Sequence, residues 1–324
     1  MKKRLLQYLA CPTCGGVLEL TVQQSEGEEI KEGVLQCPCG SAFPIIRSIP
    51  RMVKSISGLK QKTAKSFGFE WNRFHQMFAA YRINFLNYID PIKESFFKDK
   101  IILDAGCGVG RHTYWAAKFD AREVIGIDFS EAVEASYENT KNLPNVHIIQ
   151  ADIYNLPFKK ETFDFAFSIG VLHHLPDPEK GFQSIIPCIK KGGTYSIWVY
   201  GEKYNFSNVY IYEILRKATR HIPHQFLYYL CYLPAIGVEI TNRIYKTLQK
   251  TSLTKPLAAL IPFKYYSLFP FEVKLNDAFD VFATPKSTYW QKEQIDDWYR
   301  RASFQNFSTS YLRKKSVKAY GIKQ

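Results

Sequence analysis

The sequence predicts an α/β fold with a doubly wound, mostly parallel seven-stranded sheet, a small N-terminal ribbon and a helical insertion after strand 5. Three observations predict it. Apolar runs end at or just before Asp104, Asp128 and Asp152, and the interval is 24 residues both times, which suits one strand–helix unit. Glycines alternate directly after the first of these acids. Cysteines cluster before residue 40, outside the periodic region.

The cysteine cluster comes first along the chain. Cys11 and Cys14 form a C-x-x-C pair, and Cys37 and Cys39 form a C-x-C pair. The odd total of seven cysteines argues against a disulfide framework. Two thiolate pairs on two hairpin tips supply the tetrahedral ligand set of structural Zn²⁺, and so short a segment needs a metal for its folding energy. We therefore predict a zinc-ribbon domain over residues 1–55, with Cys39 the least secure ligand because C-x-C departs from the usual spacing.

Residues 56–100 are predicted to form a linker and an N-terminal helical lid. The stretch 54–65 is polar and basic, as linkers are. Aromatic residues are then dense over 67–74 and recur at helical spacing from Tyr81 to Tyr88. Two interpretations stay open: one amphipathic helix packed on the sheet, or a lid whose aromatics cover a bound cofactor.

The periodic core occupies the first part of residues 101–324. Strands are predicted at 101–103, 124–127, 147–151, 163–168 and 194–200, with helices at 113–118 and 130–141. A turn is predicted at Gly192-Gly193, before the fifth strand. Because the carboxyl ends of parallel strands share one edge of the sheet, the three acids are expected to lie together there, where such folds bind ligands.

Each acid has a chemical role if the ligand is S-adenosylmethionine. Asp128 lies 18 residues beyond Gly110, where a carboxylate can accept hydrogen bonds from both ribose hydroxyls. Asp152 can accept from the adenine amino group, with Phe129 and Ile153 as apolar walls.

Asp104 discriminates between cofactors. It adjoins a glycine loop formed by Gly106, Gly108 and Gly110, where a dinucleotide would place its pyrophosphate. A carboxylate would repel that pyrophosphate, whereas the sulfonium and ammonium of S-adenosylmethionine are cationic and favour a nearby acid.

Four motifs in this region resemble those of class I S-adenosylmethionine-dependent methyltransferases. They are Leu103–Gly110, Gly126–Ser130, Gln150–Ile153 and Ser168–Leu175, in the order and spacing of that family. The resemblance implies a Rossmann-like methyltransferase fold, S-adenosylmethionine as cofactor, and a cofactor contact from Ser168. The cysteine-rich segment is similar to zinc ribbons that precede some methyltransferase domains.

His173 and His174 follow the fourth strand, close to the expected position of the methyl acceptor. Either histidine could take a proton from the acceptor. A structural role is the alternative, because alignment of acceptor and methyl group can suffice for an in-line displacement.

The C-terminal part contains an insertion over residues 201–285 that is rich in Tyr and Phe. We predict that it is helical and forms the substrate lid over the acceptor site, with a buttress away from the site as the alternative. The acids of Asn276–Asp280 are expected to face the pocket. After the insertion, the sequence predicts a helix at 287–302 and a hairpin of strands at 304–311 and 317–322.

The charge is unevenly distributed. Residues 1–200 hold 24 basic and 21 acidic residues, a net of +3, and residues 201–324 hold 19 and 9, a net of +10, which together give the +13 of the chain. A basic half fits a nucleic acid, a membrane surface or an acidic substrate, or serves solubility alone. With neither a secretory signal nor an 18-residue apolar window, we predict a cytoplasmic protein.

These observations favour methyl transfer to a small-molecule or lipid-like biosynthetic acceptor. Nucleic acid is not the favoured partner, because the basic residues are scattered and form no stripe with stacking aromatics. Peripheral membrane contact and the oligomeric state stay open. The alternatives are an rRNA base methyltransferase, a non-catalytic scaffold that binds a partner through the ribbon, and, disfavoured by Asp104, a nicotinamide dehydrogenase.

Overall fold

The structure is a computed structural model that describes residues 1–53, 66–71, 73–203, 210, 213–219, 221–284, 287–313 and 315–324. The predicted linker at 54–65 lies outside the described residues. The chain divides into two compact units, residues 1–206 with 286–324, and residues 207–285. The second unit overlaps the predicted insertion, and each unit is described separately.

The first unit is built on one eleven-stranded sheet. Its strands in chain order are β1 (Glu19–Glu26), β2 (Glu29–Gln36), β3 (Ala42–Ile46), β4 (Ile49–Met52), β5 (Ile101–Ala105), β6 (Glu123–Asp128), β7 (Val146–Ala151), β8 (Phe163–Ile169), β9 (Ile189–Tyr200), β10 (Phe304–Leu312) and β11 (Ser316–Lys323). Their order across the sheet is β1-β2-β3-β4-β7-β6-β5-β8-β9-β11-β10.

The predicted doubly wound parallel sheet is confirmed by strands β5 to β11, of which β7, β6, β5, β8 and β9 pair in parallel. The predicted C-terminal hairpin is also present, since β10 pairs antiparallel with β11 and β11 pairs antiparallel with β9. The acids therefore follow three neighbouring strands, β5, β6 and β7, at one edge of the sheet.

The ribbon extends this sheet and is not a separate body. Strands β1 to β4 pair antiparallel in sequence, and β4 then pairs in parallel with β7, with Arg51 opposite Gln150 and Met52 opposite Ala151. The four ribbon strands and the seven predicted strands together account for eleven. The ribbon is thus fixed beside β7, the strand that leads to Asp152.

The helices of the first unit are α1 (Ala80–Ile89), α2 (Arg111–Lys118), α3 (Ala132–Thr140), α4 (Pro178–Ile185) and α10 (Lys292–Arg301). Successive strand residues point to opposite faces, so the sheet separates two apolar cores. Ile102 packs with α1, α2 and α3 residues in one core, whereas Leu103 packs with α4, α10 and ribbon residues in the other.

Three predicted boundaries differ from the structure. The predicted turn at Gly192-Gly193 is wrong, because both glycines lie inside β9. The pairing of β9 with β8 shifts register between Phe163 and Phe165, and this shift accommodates the extra residues of β9. The last helix begins at Lys292 instead of residue 287. The aromatic stretch after residue 65 is not one amphipathic helix, since residues 66–71 are helical and α1 begins only at Ala80.

The second unit is helical, as predicted, with α5 (Glu213–Thr219), α6 (His224–Leu230), α7 (Tyr232–Leu248), α8 (Lys255–Ala258) and α9 (Phe271–Ala283). Pro234 lies in the first turn of α7, a position where proline is tolerated. The acids of Asn276–Asp280 are used inside the unit: Asp277 accepts a hydrogen bond from Tyr266, and Asp280 accepts one from Thr284.

The predicted role of the second unit as a substrate lid stays a prediction. None of the helices in the described ranges has both the length and the apolar character needed to cross a membrane.

Candidate functional site

The four predicted zinc ligands come together at the hairpin tips of the ribbon. Their Sγ atoms all lie within 4.8 Å of one another, with 3.8 Å between Cys11 and Cys39 and 3.5 Å between Cys14 and Cys37. A tetrahedral zinc with Zn–S bonds of about 2.3 Å places its sulfur atoms roughly 3.8 Å apart. The donor set therefore fits structural Zn²⁺, and the C-x-C spacing does not prevent Cys39 from joining it.

The glycine loop leaves β5 and is bound to the neighbouring strand. The backbone N–H groups of Gly106 and Cys107 both donate to the Ile127 carbonyl of β6, at 2.9 and 2.8 Å. Gly106, Gly108 and Gly110 have φ values of +94°, +52° and +78°. These left-handed conformations explain why glycines alternate here, and they expose the loop backbone to an approaching ligand.

Asp104 is completely buried under this loop. Its Oδ2 accepts a hydrogen bond of 2.7 Å from the Thr113 hydroxyl of α2, and within the described residues its Oδ1 has no partner. The pKa of Asp104 is raised from 3.8 to about 7, chiefly by burial and also by the nearby Asp128 carboxyl, while the Thr113 hydrogen bond and Arg111 oppose the rise. A buried carboxyl with one vacant oxygen is suited to a cationic ligand group.

Asp128 ends β6 and connects the glycine loop to the start of α3. Its Oδ2 accepts from the Gly108 N–H at 3.0 Å, and its Oδ1 accepts from the Ser130 N–H and hydroxyl at 2.9 and 2.7 Å. Burial raises its pKa, while these hydrogen bonds lower it. The carboxylate is therefore fixed in orientation at the lip of the loop.

The remaining predicted cofactor residues lie around the same edge. Asp152 is half-buried just beyond β7 and accepts from the Tyr154 N–H at 3.0 Å. Phe129 is half-buried, and Ile153 is buried. Ser168 is fully buried in β8 and donates to the Ala105 carbonyl at 2.8 Å, so its hydroxyl supports the strand that carries Asp104.

The two predicted histidines belong to a cluster of rings beyond β8 and β9. His173 is fully buried, and its ring centroid lies 3.9 Å from that of Tyr200 and 4.1 Å from that of His174. The His174 ring lies 5.2 Å from that of Phe67, and its Nδ1 is 3.4 Å from the Ser287 hydroxyl. Planar and imidazole groups thus surround the side of the site next to β8.

Sequence reasoning missed Trp71 and Arg111. The Arg111 Cζ lies 5.0 Å from the Trp71 ring centroid and 5.3 Å from that of Tyr81. These residues come from three segments, and neither periodicity nor a motif relates them. The only sequence signal was the density of aromatic residues over 67–74, for which a lid was one of two interpretations.

We expect S-adenosylmethionine to bind more tightly as the pH rises from 6 to 8. A cation beside Asp104 favours its charged form, so below the pKa of about 7 binding must first displace a proton. The affinity should increase about tenfold over this range and level off above it. Calorimetry across the pH range measures the effect.

Asp104→Asn provides the control for this prediction. The raised pKa of Asp104 stabilises the folded protein at low pH, and this stabilisation is lost as the pH rises from 3.8 to about 7. The variant lacks this titration. Without ligand, its free energy of unfolding should therefore fall less over that interval than that of the unmodified protein. Its cofactor affinity should be weak and independent of pH. A cofactor affinity of the unmodified protein that does not change between pH 6 and 8 would contradict the role given to Asp104.

Gly106→Ala is expected to destabilise the protein by about 2–4 kcal/mol, since it adds both backbone strain and a clash. An added Cβ would lie 2.2 Å from Cγ2 of Val171. The matched control is Gly192→Ala, because Gly192 also has a positive φ, +74°, but no atom lies within 4 Å of its added Cβ. The Gly192→Ala control should lower the free energy of unfolding, measured by thermal unfolding, by only about 1 kcal/mol. Equal losses of stability in the two variants would mean that the clash of the added Cβ with Val171 is unimportant.

Comparison with known proteins gives two domain matches. Residues 103–197 match the family described as a methyltransferase domain, and residues 2–48 match the family described as Trm112p-like protein. The first match contains the glycine loop and all three acids. The second contains the four cysteines.

Named relatives match part of the chain. The tRNA U34 carboxymethyltransferase of Ruthia magnifica subsp. Calyptogena magnifica is 36% identical over 158 residues, 47% of this chain and 45% of that protein. The Cellvibrio japonicus protein of the same name is 34% identical over 100 residues, 30% of this chain and 31% of that protein. The sterol 24-C-methyltransferase ERG6 of Saccharomyces cerevisiae is 30% identical over 148 residues, 43% of this chain and 38% of that protein. The chain therefore spans less than half the length of these relatives.

Solved structures that are similar to this chain include phosphoethanolamine N-methyltransferase 2 of Haemonchus contortus in complex with S-adenosyl-L-methionine. It is 14% identical, with a TM-score of 0.48 over 85% of this chain and 61% of that one.

The predicted small-molecule or lipid-like acceptor is wrong. Several tRNA U34 carboxymethyltransferases at 31–36% identity, together with the Trm112p-like domain, favour the RNA alternative. The preference against a nucleic-acid partner is corrected for the same reason. It relied on scattered basic residues, but RNA is also recognised by stacking of its unpaired bases on aromatic side chains.

The two domain matches, the four clustered thiols and the three acids around a glycine loop agree with one another. The cofactor is S-adenosylmethionine and the ribbon metal is structural zinc. Residues 103–197 are thus a methyltransferase domain and residues 2–48 a Trm112p-like zinc ribbon, the arrangement expected of a class I S-adenosylmethionine-dependent methyltransferase with an N-terminal zinc ribbon.

Proposed function

We propose that the protein transfers the methyl group of S-adenosylmethionine to a base of RNA, and that the RNA is a tRNA. The observation that carries the proposal is the match to a tRNA U34 carboxymethyltransferase, 36% identical over 158 residues. The RNA alternative of the sequence analysis named rRNA bases. Relatives that act on tRNA favour tRNA over rRNA.

The cofactor roles proposed for the acids follow from their places along the sheet edge. Asp128 would hold the ribose hydroxyls, and Asp152 would accept from the adenine amino group between Phe129 and Ile153. Asp104 would then face the cationic end of the cofactor, because β5 lies next to β6 on the side away from β7. The methyl group would point toward β8 and its ring cluster.

The ring cluster supports a planar acceptor. The His174 ring lies 5.2 Å from that of Phe67 and 5.6 Å from that of Tyr200. The Tyr289 ring lies 6.1 Å from that of Tyr200, with an interplanar angle of 21°. Aromatic and imidazole faces hold unstacked bases in many RNA-binding sites, because every base presents a π-face. A base brought to this cluster would lie next to the expected methyl position.

His174 is our proposed proton acceptor. Transfer of CH₃⁺ from the sulfonium to a ring atom of the base leaves S-adenosylhomocysteine and a methylated base, from which one proton must depart. His174 can receive that proton at an imidazole nitrogen. His173 is enclosed between His174 and Tyr200, so we propose that it positions these rings.

The charge of the chain is consistent with an RNA substrate. The net charge is +13 and the isoelectric point is about 9.2, which favours binding to phosphates and makes that binding sensitive to salt. A tRNA substrate also agrees with the cytoplasmic location predicted from the sequence.

The proposal is tested with RNA from cells that lack the gene. Purified protein is incubated with S-adenosylmethionine labelled in its methyl group and with total tRNA, rRNA or an organic extract from those cells. We expect label in the tRNA fraction that becomes acid-soluble after nuclease treatment. RNA from cells that retain the gene should accept less, because its sites are already methylated.

Three other outcomes would overturn this proposal. Label only in rRNA would identify another RNA class, and label only in the organic extract would exclude RNA as acceptor. Absence of label from every fraction, with cofactor binding intact, would favour a scaffold. Asp128→Ala is the negative control, since it removes the proposed ribose contact.

A further inference from the structure

We propose that Arg111, held between Trp71 and Tyr81, binds the α-carboxylate of the methionine part of S-adenosylmethionine. This assignment adds a cation to a cofactor site for which no basic residue was predicted. It depends on the cofactor and not on the RNA, so it can be tested without knowledge of the acceptor.

The chemistry of the cofactor requires such a group. Its amino-acid end carries an ammonium and a carboxylate, whereas the site contains three carboxyl side chains, Asp104, Asp128 and Asp152. These acids suit the cationic groups and the hydroxyls but repel the carboxylate. Arginine is well suited to a carboxylate because its planar guanidinium can donate two parallel hydrogen bonds.

Arg111 lies where the glycine loop becomes helix α2. It directly follows Gly110, and the two aromatic rings lie 5.0 and 5.3 Å from its guanidinium carbon. Distances under about 6 Å are typical of cation–π contacts. Such contacts use the face of a guanidinium and fix its plane, while its N–H groups point outward in that plane toward hydrogen-bond acceptors.

Trp71 places this clamp on the ligand side of the loop. A Cβ added to Gly108 would lie 3.5 Å from both Cε2 and Nε1 of Trp71. The indole therefore covers the middle glycine of the loop, and a ligand that approaches this backbone must contact or move it.

Asp104 and Arg111 form a pair of opposite charges that matches the amino-acid group. The carboxyl of Asp104 has a buried Oδ1 with no hydrogen-bond partner in the described part of the chain. Arg111 is close enough to lower the pKa of that carboxyl. An ammonium at Asp104 and a carboxylate at Arg111 would place opposite charges together at both side chains, whereas the reverse orientation would place like charges together.

The helical segment 66–71 connects this clamp with the acceptor side. Trp71 lies at the glycine loop, Gly68 faces Glu131 beyond β6 with 3.8 Å to its added Cβ, and the Phe67 ring lies 5.2 Å from His174. One short helix thus passes over the ends of β5, β6 and β8. The lid interpretation of the sequence analysis is supported by these contacts.

The test compares two ligands and two proteins by calorimetry. The ligands are S-adenosylmethionine and decarboxylated S-adenosylmethionine, which differ only in the carboxylate. We expect the unmodified protein to prefer the first ligand by about tenfold or more. Arg111→Ala should weaken the binding of S-adenosylmethionine about tenfold or more. It should change the affinity for the decarboxylated ligand less than about threefold, so that the preference for S-adenosylmethionine disappears.

Lys118→Ala is the matched control, because Lys118 is an exposed cation at the other end of α2 and contacts only the Tyr114 ring among the cation–π pairs described. It should leave both affinities unchanged. Equal weakening of both ligands by Arg111→Ala would show that the clamp is only structural and would overturn the proposal. So would equal binding of the two ligands by the unmodified protein, a result that does not depend on whether the variant folds.

Discussion

Removal of the ribbon zinc is expected to unfold the ribbon and to weaken cofactor binding in the methyltransferase domain about tenfold. The first effect follows because structural zinc contributes about 10–16 kcal/mol of apparent binding energy to small metal-dependent domains. Cys37→Ala should have the same result, since it removes one of four ligands that lie within 4.8 Å of one another.

The second effect follows from the way the ribbon joins the sheet. Strand β4 pairs with β7, which leads to Asp152. Arg47 and Arg51 of the ribbon both form ion pairs with Glu134 on α3, the helix that follows Asp128. Loss of the ribbon would therefore release β7 and α3, which position cofactor residues. We expect the affinity for the cofactor to fall about tenfold as a result.

Cys188→Ala is the matched control for this prediction. Cys188 is 5% exposed and Cys37 is 7% exposed, so both substitutions remove a buried thiol, but only Cys37 belongs to the cluster. The control should retain zinc by atomic absorption and bind cofactor normally. Zinc-free protein that binds S-adenosylmethionine as tightly as the zinc form would contradict the proposed support of the site by the ribbon.

Asp128→Ala is expected to weaken S-adenosylmethionine binding by about a hundredfold or more. Two hydrogen bonds from ribose hydroxyls to a carboxylate contribute roughly 1.5–3 kcal/mol each. The substitution also leaves the Gly108 N–H and the Ser130 N–H without the acceptor that now fixes the glycine loop. Calorimetry with S-adenosylhomocysteine measures the loss without any acceptor.

Asp164→Ala controls for the removal of a structural acid. Asp164 accepts a backbone N–H from Ile101 and pairs with Lys190, but it lies near the start of β8, at the edge of the sheet opposite to the cofactor site. This variant should lose some stability and keep its cofactor affinity. A similar loss of affinity in both variants would mean that Asp128 acts through the fold and not through the ribose.

The sequence predicted the parts of this molecule that repeat or that obey local rules. The equal spacing of Asp104, Asp128 and Asp152 located three neighbouring strand ends, because acids at the ends of buried parallel strands interrupt apolar runs. The four cysteines were found because metal ligands have characteristic spacing. The doubly wound parallel sheet followed from the alternation of strands and helices.

Other parts depend on contacts between distant segments. The pairing of Met52 with Ala151 joins a four-residue strand to one almost a hundred positions later, and no pattern in either strand specifies the partner. The clamp of Arg111 between Trp71 and Tyr81 has the same character. The prediction of a small-molecule acceptor was wrong because acceptor recognition follows no motif in this sequence, whereas the cofactor site does.

Mass spectrometry of tRNA nucleosides tests the central claim most directly. Total tRNA from cells that lack the gene is digested to nucleosides before and after treatment with the protein and S-adenosylmethionine. The proposed function predicts that one nucleoside gains the mass of a methylene group after treatment and that the same methylated nucleoside occurs in cells that retain the gene. Identical nucleoside profiles before and after treatment, obtained with protein that binds the cofactor, would contradict it.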